Sequence, residues 1–357
     1  MAFDYGRQGS TIARNGLLID GSAEKDLQMK GIVYYDYGSP SVLQYEEMET
    51  PTPGNHEVLI KVRAASVNPY DWHFMRGAPY PLRIAAGLSK PKDRRLGADV
   101  AGRVEAVGKN VTRFKPGDEV FGVGRGAFAE YACACESKVV LKTKNVTFEQ
   151  AASVPIAGLT ALQGLRRGGL GGKGQLQPGQ KVLINGAAGG VGTFAVQIAK
   201  SFNAEVTGVC STRNVDMVRS IGANRVIDYT QEDFTTSGQR YDLILDCVSN
   251  HSLSAFRRVL SPKGSYIMVG AADGGGRWML SLLARLIKAL VMSWLGSQKL
   301  VIVGAKIWKE DLTILCDLMA AGKVTPIIDR NYSLREVPEA IRYLEAGHAR
   351  GKVVITV

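Results

Sequence analysis

The chain has 357 residues, of which 45% are apolar and 22% charged, and 41 are glycine. This composition excludes a disordered or fibrous protein and is typical of a globular α/β protein, while the length favours two domains over one. The formal net charge of +11 comes from Lys and Arg residues scattered along the chain rather than from a basic arm, so no nucleic-acid partner is expected.

The beginning of the chain carries no apolar core of the kind found in a secretory signal, and it is too acidic for a transit peptide. We therefore predict that residues 1–29 form a flexible extension. The five cysteines are spread along the chain and give no disulfide framework, which favours a reducing, cytoplasmic environment. The four histidines show no spacing typical of a metal site, so no metal is expected from them.

Residues from Met29 to about Ala152 form short stretches of alternating apolar and polar residues, separated by turn signals. Examples are "EVLIKVRAASV" at 57–67 and "AGRVEAVG" at 101–108, and a Pro-Gly pair stands in "FKPGDEV" at 114–120. This pattern predicts a small all-β, barrel-like domain.

After Val154 the pattern changes to apolar strands that alternate with helical segments. The strand "KVLIN" at 181–185 leads into a helix from about Gly190 to Phe202, and further strand–helix pairs follow. Near-continuous apolar strands of this kind predict a doubly wound parallel sheet with helices on both faces. The tail from Ser333 contains one more helix and one more strand, which we expect to return to the β domain.

A glycine-rich loop, "GAAGGVG", joins that first strand to its helix. Ala187, Gly189 and Gly192 stand where a dinucleotide-binding turn carries its three glycines. Gly189 lets the main chain approach a pyrophosphate, Gly192 lets the helix close on the strand, and the helix N-terminus supplies amide donors. With a strand before it and a helix after it, the loop predicts a dinucleotide site that also includes Gly190 and Val191.

The end of the next strand indicates which dinucleotide binds. An NAD site would place an acid there for the ribose 2′-hydroxyl, whereas this chain has Ser211, Thr212 and Arg213 with no acid in reach. Two hydroxyls and a guanidinium can hold a 2′-phosphate by charge-assisted hydrogen bonds, so NADPH is favoured over NADH. For Arg213 alone, a solvated loop arginine is the competing interpretation.

The fourth and fifth strands of the predicted sheet end in further candidate cofactor contacts. In open α/β sheets the ligand lies at the carboxyl ends of the strands. The residues at those ends are Asp246, Val248, Val269 and Gly270.

The order of these parts resembles the medium-chain dehydrogenase/reductases over nearly all of the chain after residue 29. The matching motifs are "GADVAGRVEAVG" followed by "RFKPGDEVFG", then "AAGGVG" and the closing "GKVVI". The resemblance implies a GroES-like β-barrel substrate domain at 30–153 and 324–357 and a Rossmann domain at 154–323. It also implies an active cleft between the two domains.

Zinc enzymes of that family carry a Cys, a His-Glu pair and a later Cys or Asp as the corresponding ligand positions. Here these positions are occupied by Asn68, by Ala98 with Asp99, and by Ala157. A catalytic zinc needs three protein ligands, so no catalytic metal is expected. The chain resembles the zinc-independent quinone oxidoreductase branch, which implies NADPH-dependent reduction of a quinone or an α,β-unsaturated carbonyl.

Such acceptors take hydride without a Lewis acid, so the protein must supply orientation and hydrogen bonds. Asn68 stands at the lost zinc position and is expected to hydrogen-bond the substrate carbonyl, although an Asx turn before Pro69 is the competing interpretation. Tyr70 is a candidate donor or aromatic wall, and Tyr80 is a weaker one. The resemblance further implies that Thr160 lies near the nicotinamide amide and Tyr229 beside the adenosine phosphate.

One segment remains outside this scheme. Between Trp278 and Leu295 an apolar run is interrupted by a narrow polar stripe that includes Arg285 and Lys288. The two charges make a membrane span costly, which leaves a lid, a partner-binding helix or an interfacial membrane helix. The alternative function is therefore an NADPH-binding protein that associates with a membrane or a partner and turns over weakly or not at all. The strand "KLVIVGAK" stands where relatives in the family extend their sheets into homodimers.

Overall fold

The computed structural model of the protein describes residues 28–167, 176–269 and 298–357. These residues form a mostly antiparallel β unit and a six-stranded parallel sheet with helices. The predicted fold class, a GroES-like β barrel combined with a Rossmann domain, is confirmed. The segment around 278–295, Gly270 and nearly all of the predicted N-terminal extension lie outside the described residues. In the described part of the chain, no helix has the length and apolar character needed to span a membrane.

The elements are numbered here in chain order. The strands are β1 (Gln28–Val33), β2 (Gln44–Glu49), β3 (Glu57–Val67), β4 (Asp99–Val107), β5 (Glu119–Val123), β6 (Tyr131–Cys135), β7 (Val139–Leu141), β8 (Lys181–Asn185), β9 (Glu205–Cys210), β10 (Arg225–Asp228), β11 (Tyr241–Asp246), β12 (Leu260–Met268), β13 (Lys299–Ile302), β14 (Ile328–Ser333) and β15 (Lys352–Thr356). The helices are α1 (Pro69–Arg76), α2 (Leu82–Ala86), α3 (Phe148–Ala152), α4 (Pro155–Arg167), α5 (Gly190–Ser201), α6 (Val215–Ser220), α7 (Leu253–Val259), α8 (Lys309–Ala320) and α9 (Val337–Glu345).

The β unit is built around the long strand β3. Its sheet has the order β14-β15-β3-β4-β5-β7, and β6 also pairs with β3. Along β3 the apolar residues are buried, whereas Lys61 and Arg63 face solvent. Because β15 runs antiparallel to β3, the last residues of the chain lie in the same sheet as residues 57–67. A cluster of buried apolar side chains, which includes Ile60 and Val100, fills this unit.

The parallel sheet has the strand order β10-β9-β8-β11-β12-β13. The order reverses between β8 and β11, which is the switch point where open α/β sheets bind ligands beyond the carboxyl ends of their strands. Val182, Leu183 and Ile184 in β8 are fully buried because both faces of the strand are covered. The helix predicted from Gly190 to Phe202 is present as α5, and its residues from Gly192 to Ala199 are buried.

Candidate active site

The glycine loop between β8 and α5 forms a tight turn with a bare backbone. Gly186 has φ +85°, a left-handed conformation that favours glycine. A Cβ on Gly192 would lie 2.1 Å from the carbonyl oxygen of Gly186, so this position allows the helix to close on the turn. A Cβ on Gly189 would meet only the same oxygen, at 3.5 Å. The main chain at Gly189 is therefore bare on the side that a ligand would approach.

The first turn of α5 completes this cradle. Gly189 precedes the helix in an extended conformation, and no side chain caps it. The N–H groups of the first helical residues have no partner within a helix, and they carry the positive end of its dipole. Gly190 and Val191 are half-buried at this turn. The N–H groups of this first turn, next to a backbone without side chains, are donors that suit a dinucleotide pyrophosphate at the switch point.

The C-terminal segment of the β unit contacts this loop directly. The N–H of Gly351 donates to the carbonyl of Ala188 at 2.8 Å, and Gly351 forms a parallel bridge with Gly189. A Cβ on Gly190 would lie 3.2 Å from Cδ of Lys352. The seam between the two units therefore runs along the predicted pyrophosphate loop.

At the end of β9, Ser211 is half-buried, while Thr212 and Arg213 are exposed. Nη2 of Arg213 donates to the carbonyl of His348 at 3.1 Å, and Nη2 of Arg350 donates to the carbonyl of Arg213 at 3.2 Å. The second arginine was missed in the sequence because it lies 137 residues further along the chain. It brings a second guanidinium to the loop predicted to hold a 2′-phosphate.

The expectation that no acid lies in reach of this loop is wrong. Asp228 ends the neighbouring strand β10, and hydrogen bonds from Thr212 and Thr230 hold the pKa of its carboxyl below the usual range. The carboxylate is thus charged at neutral pH, and the hydroxyl of Thr212 is engaged with it. Tyr229, the next residue, is 58% exposed and its N–H donates to the carbonyl of Cys210. Asp228 comes close to Thr212 because β9 and β10 are neighbours in the sheet, and the sequence around either residue does not indicate this contact.

Asp246, at the end of β11, is fully buried. Its Oδ2 accepts from the hydroxyl of Tyr266 at 2.5 Å, and its Oδ1 accepts from Nδ2 of Asn185 and from the N–H groups of Val248 and Ser249 at 2.8 to 3.0 Å. The predicted contact of this side chain with the cofactor is corrected, because a carboxylate with no exposed surface cannot touch a ligand. Asp246 instead shapes the loop that follows β11.

Val248 and Val269 are half-buried at the ends of β11 and β12. A Cβ on Gly186 would lie 2.8 Å from Cγ2 of Val248, so this valine packs against the glycine turn. Thr160 lies in α4, is 8% exposed, and donates its hydroxyl to the carbonyl of Ile156 at 2.7 Å. The contact of these three residues with a cofactor stays a prediction.

The three positions that correspond to zinc ligands in the family come together around Asp99. Nδ2 of Asn68 donates to Oδ2 of Asp99 at 2.9 Å, and the N–H of Ile156, next to Ala157, donates to Oδ1 at 3.0 Å. Nζ of Lys352 lies 3.7 Å from Oδ2 of the same carboxylate. Within residues 28–167, 176–269 and 298–357, no group of three or more His, Cys, Asp or Glu side chains is placed to hold a metal.

The Asn68 amide is satisfied by protein groups. It is 2% exposed, its Nδ2 also donates to the carbonyl of Ser66 at 3.2 Å, and its Oδ1 accepts from Nζ of Lys352 at 2.5 Å. Both N–H bonds of the amide therefore have acceptors inside the protein. This geometry argues against the predicted donation from Asn68 to a substrate carbonyl and gives the residue a positioning role.

Burial governs the charges of this cluster. Asp71 is fully buried, and its Oδ2 accepts the N–H of Asn68 at 2.7 Å, which orders the start of α1. Desolvation raises the pKa of Asp71 to about 8. Burial also raises the pKa of Asp99 and lowers the pKa of Lys352, although the ion pair between the two opposes both changes.

A cavity of about 650 Å³ lies beside this cluster in the β unit. Tyr70 and Phe74 line it with ring centroids 4.3 Å apart, and Ala98, next to Asp99, forms part of its wall. His73, which we had not counted among the site residues, also lines it, and burial lowers the pKa of its imidazole. Tyr80 does not line this cavity and is 75% exposed.

Comparison with known proteins places the chain in a family. The model of the alcohol dehydrogenase GroES-like domain matches residues 54–144, and the model of the zinc-binding dehydrogenase matches residues 221–355. A chloroplastic quinone-oxidoreductase from Triphysaria versicolor is 36% identical over 337 residues, covering 92% of this chain and 98% of its own. The mitochondrial NAD(P)H oxidoreductase RTN4IP1 of Homo sapiens is 34% identical over 383 residues, covering 95% and 92%.

Solved structures agree with these relatives. The quinone oxidoreductase from Coxiella burnetii has a TM-score of 0.78 and 29% identity, covering 92% of this chain and 99% of its own. The fold, the glycine loop and these relatives together show that the chain belongs to the medium-chain dehydrogenase/reductases, in the quinone oxidoreductase branch, and is an NAD(P)-dependent oxidoreductase.

Proposed function

We propose that the protein is an NADPH-dependent, zinc-independent reductase that transfers hydride to a quinone or an α,β-unsaturated carbonyl. The proposal rests on the position of Lys352 between the glycine loop and the residues beside the cavity. Lys352 touches Gly190 on one side and the Asn68 amide on the other, and Tyr70, two residues on, lines the cavity. A dinucleotide on the loop and an acceptor in the cavity would therefore lie side by side.

The choice of NADPH rests on the positive charge around the end of β9. The Arg213 guanidinium donates to the His348 carbonyl there, the Arg350 guanidinium donates to the Arg213 carbonyl, and Ser211 adds a hydroxyl. Guanidinium groups bind phosphate by charge-assisted, bidentate hydrogen bonds. Asp228 opposes this preference, because its charge would repel a 2′-phosphate, but Thr212 and Thr230 already satisfy it. Two guanidinium groups against one carboxylate favour the phosphorylated cofactor.

When bound, the reduced nicotinamide would supply the hydride. The aromatic walls at Tyr70 and Phe74 offer a planar, apolar surface for a conjugated acceptor. Arg95 and Arg125 place positive charge in the lining, although Asp93 and Glu57 pair with them. We propose that the oxyanion left on the acceptor takes its proton from water or from the Tyr70 hydroxyl. Orientation and electrostatics would supply the rate.

The role of Asn68 in this reaction is to position rather than to donate. Its backbone N–H is held by Asp71 and its side chain by Asp99 and Lys352, so the loop that presents Tyr70 is fixed from three sides. Because the loop is held in this way, Tyr70 keeps its position without rearrangement during the reaction.

The test is oxidation of NADPH by a panel of quinones and enones, which is measured as the loss of NADPH absorbance. We expect turnover with NADPH, and in the double variant Arg213→Gln/Arg350→Gln we expect KM for NADPH to rise at least about tenfold with little change for NADH. Arg219→Gln, an exposed arginine on α6, serves as the matched control. Absence of turnover with every acceptor would reject the proposal.

We also propose that the protein forms a homodimer. In the described sheet, β13 is the outermost strand on its side. Edge strands carry unpaired backbone groups that a second strand can satisfy. Light scattering of the purified protein gives the mass, and a monomer at all concentrations would contradict the dimer.

A further inference from the structure

The outward surface of residues 79–96, called here the outer face, carries the most exposed large hydrophobic side chains in the described residues. Tyr80, Ile84 and Leu88 are 75%, 72% and 75% exposed. Elsewhere among the described residues, the exposed large hydrophobic side chains are between 36% and 58% exposed. Apolar residues concentrated on a surface in this way mark an interaction site.

The same segment forms a wall of the cavity on its inner side. Helical turns run from Pro79 to Gly87, with the N–H of Leu82 donating to the Pro79 carbonyl at 2.8 Å and that of Gly87 to the Arg83 carbonyl at 2.7 Å. Leu82, Ala85 and Ala86 line the cavity, whereas Ile84 does not. The segment thus separates the cavity from the outside by the thickness of one short helix.

Basic residues lie close to the apolar ones along the same segment. Between residues 79 and 96 the chain has five basic side chains and one acid, Asp93. Arg83, Lys90 and Arg94 do not line the cavity, whereas Lys92 and Arg95 do, so the charge offered to the outside comes from the first three. Lys90 pairs with Asp36 at 3.2 Å, but both side chains are more than 60% exposed, so the pair is weak and open to exchange.

We propose that the outer face docks on an anionic lipid bilayer, so that lipid-soluble acceptors enter the cavity beside it. Apolar side chains interleaved with Lys and Arg are the pattern that binds an anionic membrane interface, because the apolar groups enter the headgroup region while the cations pair with lipid phosphates. A protein partner or second copy would have to present an acidic, apolar surface instead. The entry of acceptors rests on the proposed function, whereas the docking itself does not.

The first experiment is sedimentation of the full chain with vesicles of phosphatidylcholine, alone or mixed with phosphatidylglycerol. We expect binding to the mixed vesicles and little to the neutral ones. The variant Ile84→Gln/Leu88→Gln removes apolar contact, and Lys90→Gln/Arg94→Gln removes charge. Each should lower the bound fraction by at least about fivefold. Leu141→Gln, an exposed leucine on β7, and Arg219→Gln are the matched controls and should bind like the wild type.

The outcomes separate the occupants. Failure of the wild type to bind the anionic vesicles, or unchanged binding by both double variants, overturns the proposal. So does a wild-type dimer that Ile84→Gln/Leu88→Gln converts to a monomer, because the outer face would then cover a second copy.

A turnover assay distinguishes this inference from the proposed function. With a water-soluble quinone, Ile84→Gln/Leu88→Gln should keep the wild-type kcat/KM, because neither side chain lines the cavity. With a long-chain quinone dissolved in the anionic vesicles, its kcat/KM should fall by at least about fivefold. Equal rates from the vesicles would overturn the docking route. Lack of turnover with the soluble quinone would reject the reductase and leave the binding result standing.

Discussion

Nζ of Lys352 lies 2.5 Å from Oδ1 of Asn68, and the two residues are 284 positions apart in the chain. The lysine is 3% exposed and also approaches the Val67 carbonyl and the Asp99 carboxylate. This contact joins β15 to the start of α1. Among the described residues, Lys352 is the only positive charge in an ion pair with Asp99, and it lies beside the glycine loop. The contact therefore couples the fold of the β unit to the site between the two units.

Lys352→Met should destabilise the protein by about 3 kcal/mol, because removing one partner leaves a buried carboxylate uncompensated. Urea unfolding at neutral pH measures the loss. The difference from the wild type should shrink in acid, where Asp99 can protonate. Lys109→Met, on the surface, is the control. A loss of similar size in both variants would contradict the role of this ion pair.

Asp71 predicts a particular dependence of stability on pH. In the unfolded chain its carboxyl ionises near pH 3.8, whereas burial raises the pKa to about 8 in the fold. Between these values the folded protein holds a proton that the unfolded chain has released. The free energy of unfolding should therefore fall as pH rises through this window, by up to about 1.4 kcal/mol per pH unit.

Asp71→Asn should remove this contribution while keeping an oxygen that accepts the Asn68 N–H. Unfolding of wild type and variant across the window gives the two slopes. A variant whose stability falls with pH as steeply as that of the wild type would show that Asp71 is ionised in the fold.

Two glycines of the loop should respond differently to substitution. At Gly189 a methyl group meets only the Gly186 oxygen at 3.5 Å, so Gly189→Ala should fold normally but weaken NADPH binding at least about tenfold. At Gly192 a methyl group would lie 2.1 Å from that oxygen, so Gly192→Ala should lower the melting temperature. Thermal unfolding and a fluorescence titration with NADPH separate the two. Equal affinity in wild type and Gly189→Ala would contradict binding of the pyrophosphate at this loop.

Asp228→Asn should tighten NADPH binding relative to NADH by about three- to tenfold, because it removes a negative charge next to the predicted 2′-phosphate loop. Thr212 and Thr230 can still donate to the remaining oxygen. The ratio of kcat/KM values for the two cofactors is the measurement. An unchanged ratio would mean that the carboxylate takes no part in choosing the cofactor, and a shift toward NADH would contradict its repulsion of a 2′-phosphate.

Tyr70→Phe keeps the aromatic wall of the cavity and removes the hydroxyl. If that hydroxyl delivers the proton, kcat should fall at least about tenfold while KM for the acceptor changes little. Tyr45→Phe on β2 is the control. An unchanged kcat would assign proton delivery to water.

The local part of the site could be predicted from the sequence. The strand, the glycines and the helix of the loop are neighbours in the chain, and a tight turn against a helix N-terminus imposes glycine at fixed spacing. The position of α5, the parallel sheet and the family followed from such short-range patterns. Only the α5 end moved, from the predicted Phe202 to Ser201.

The tertiary structure decided which groups are available for chemistry. Asn68 was expected to be a substrate donor because it stands at the lost zinc position, yet Asp99 and Lys352 use its amide. Asp228 and Arg350 reach the β9 loop from elsewhere in the chain. Hydrogen bonds and charges act over a few ångströms in space, so contacts between residues far apart in sequence arise only when the sheets pair and the two units close on each other.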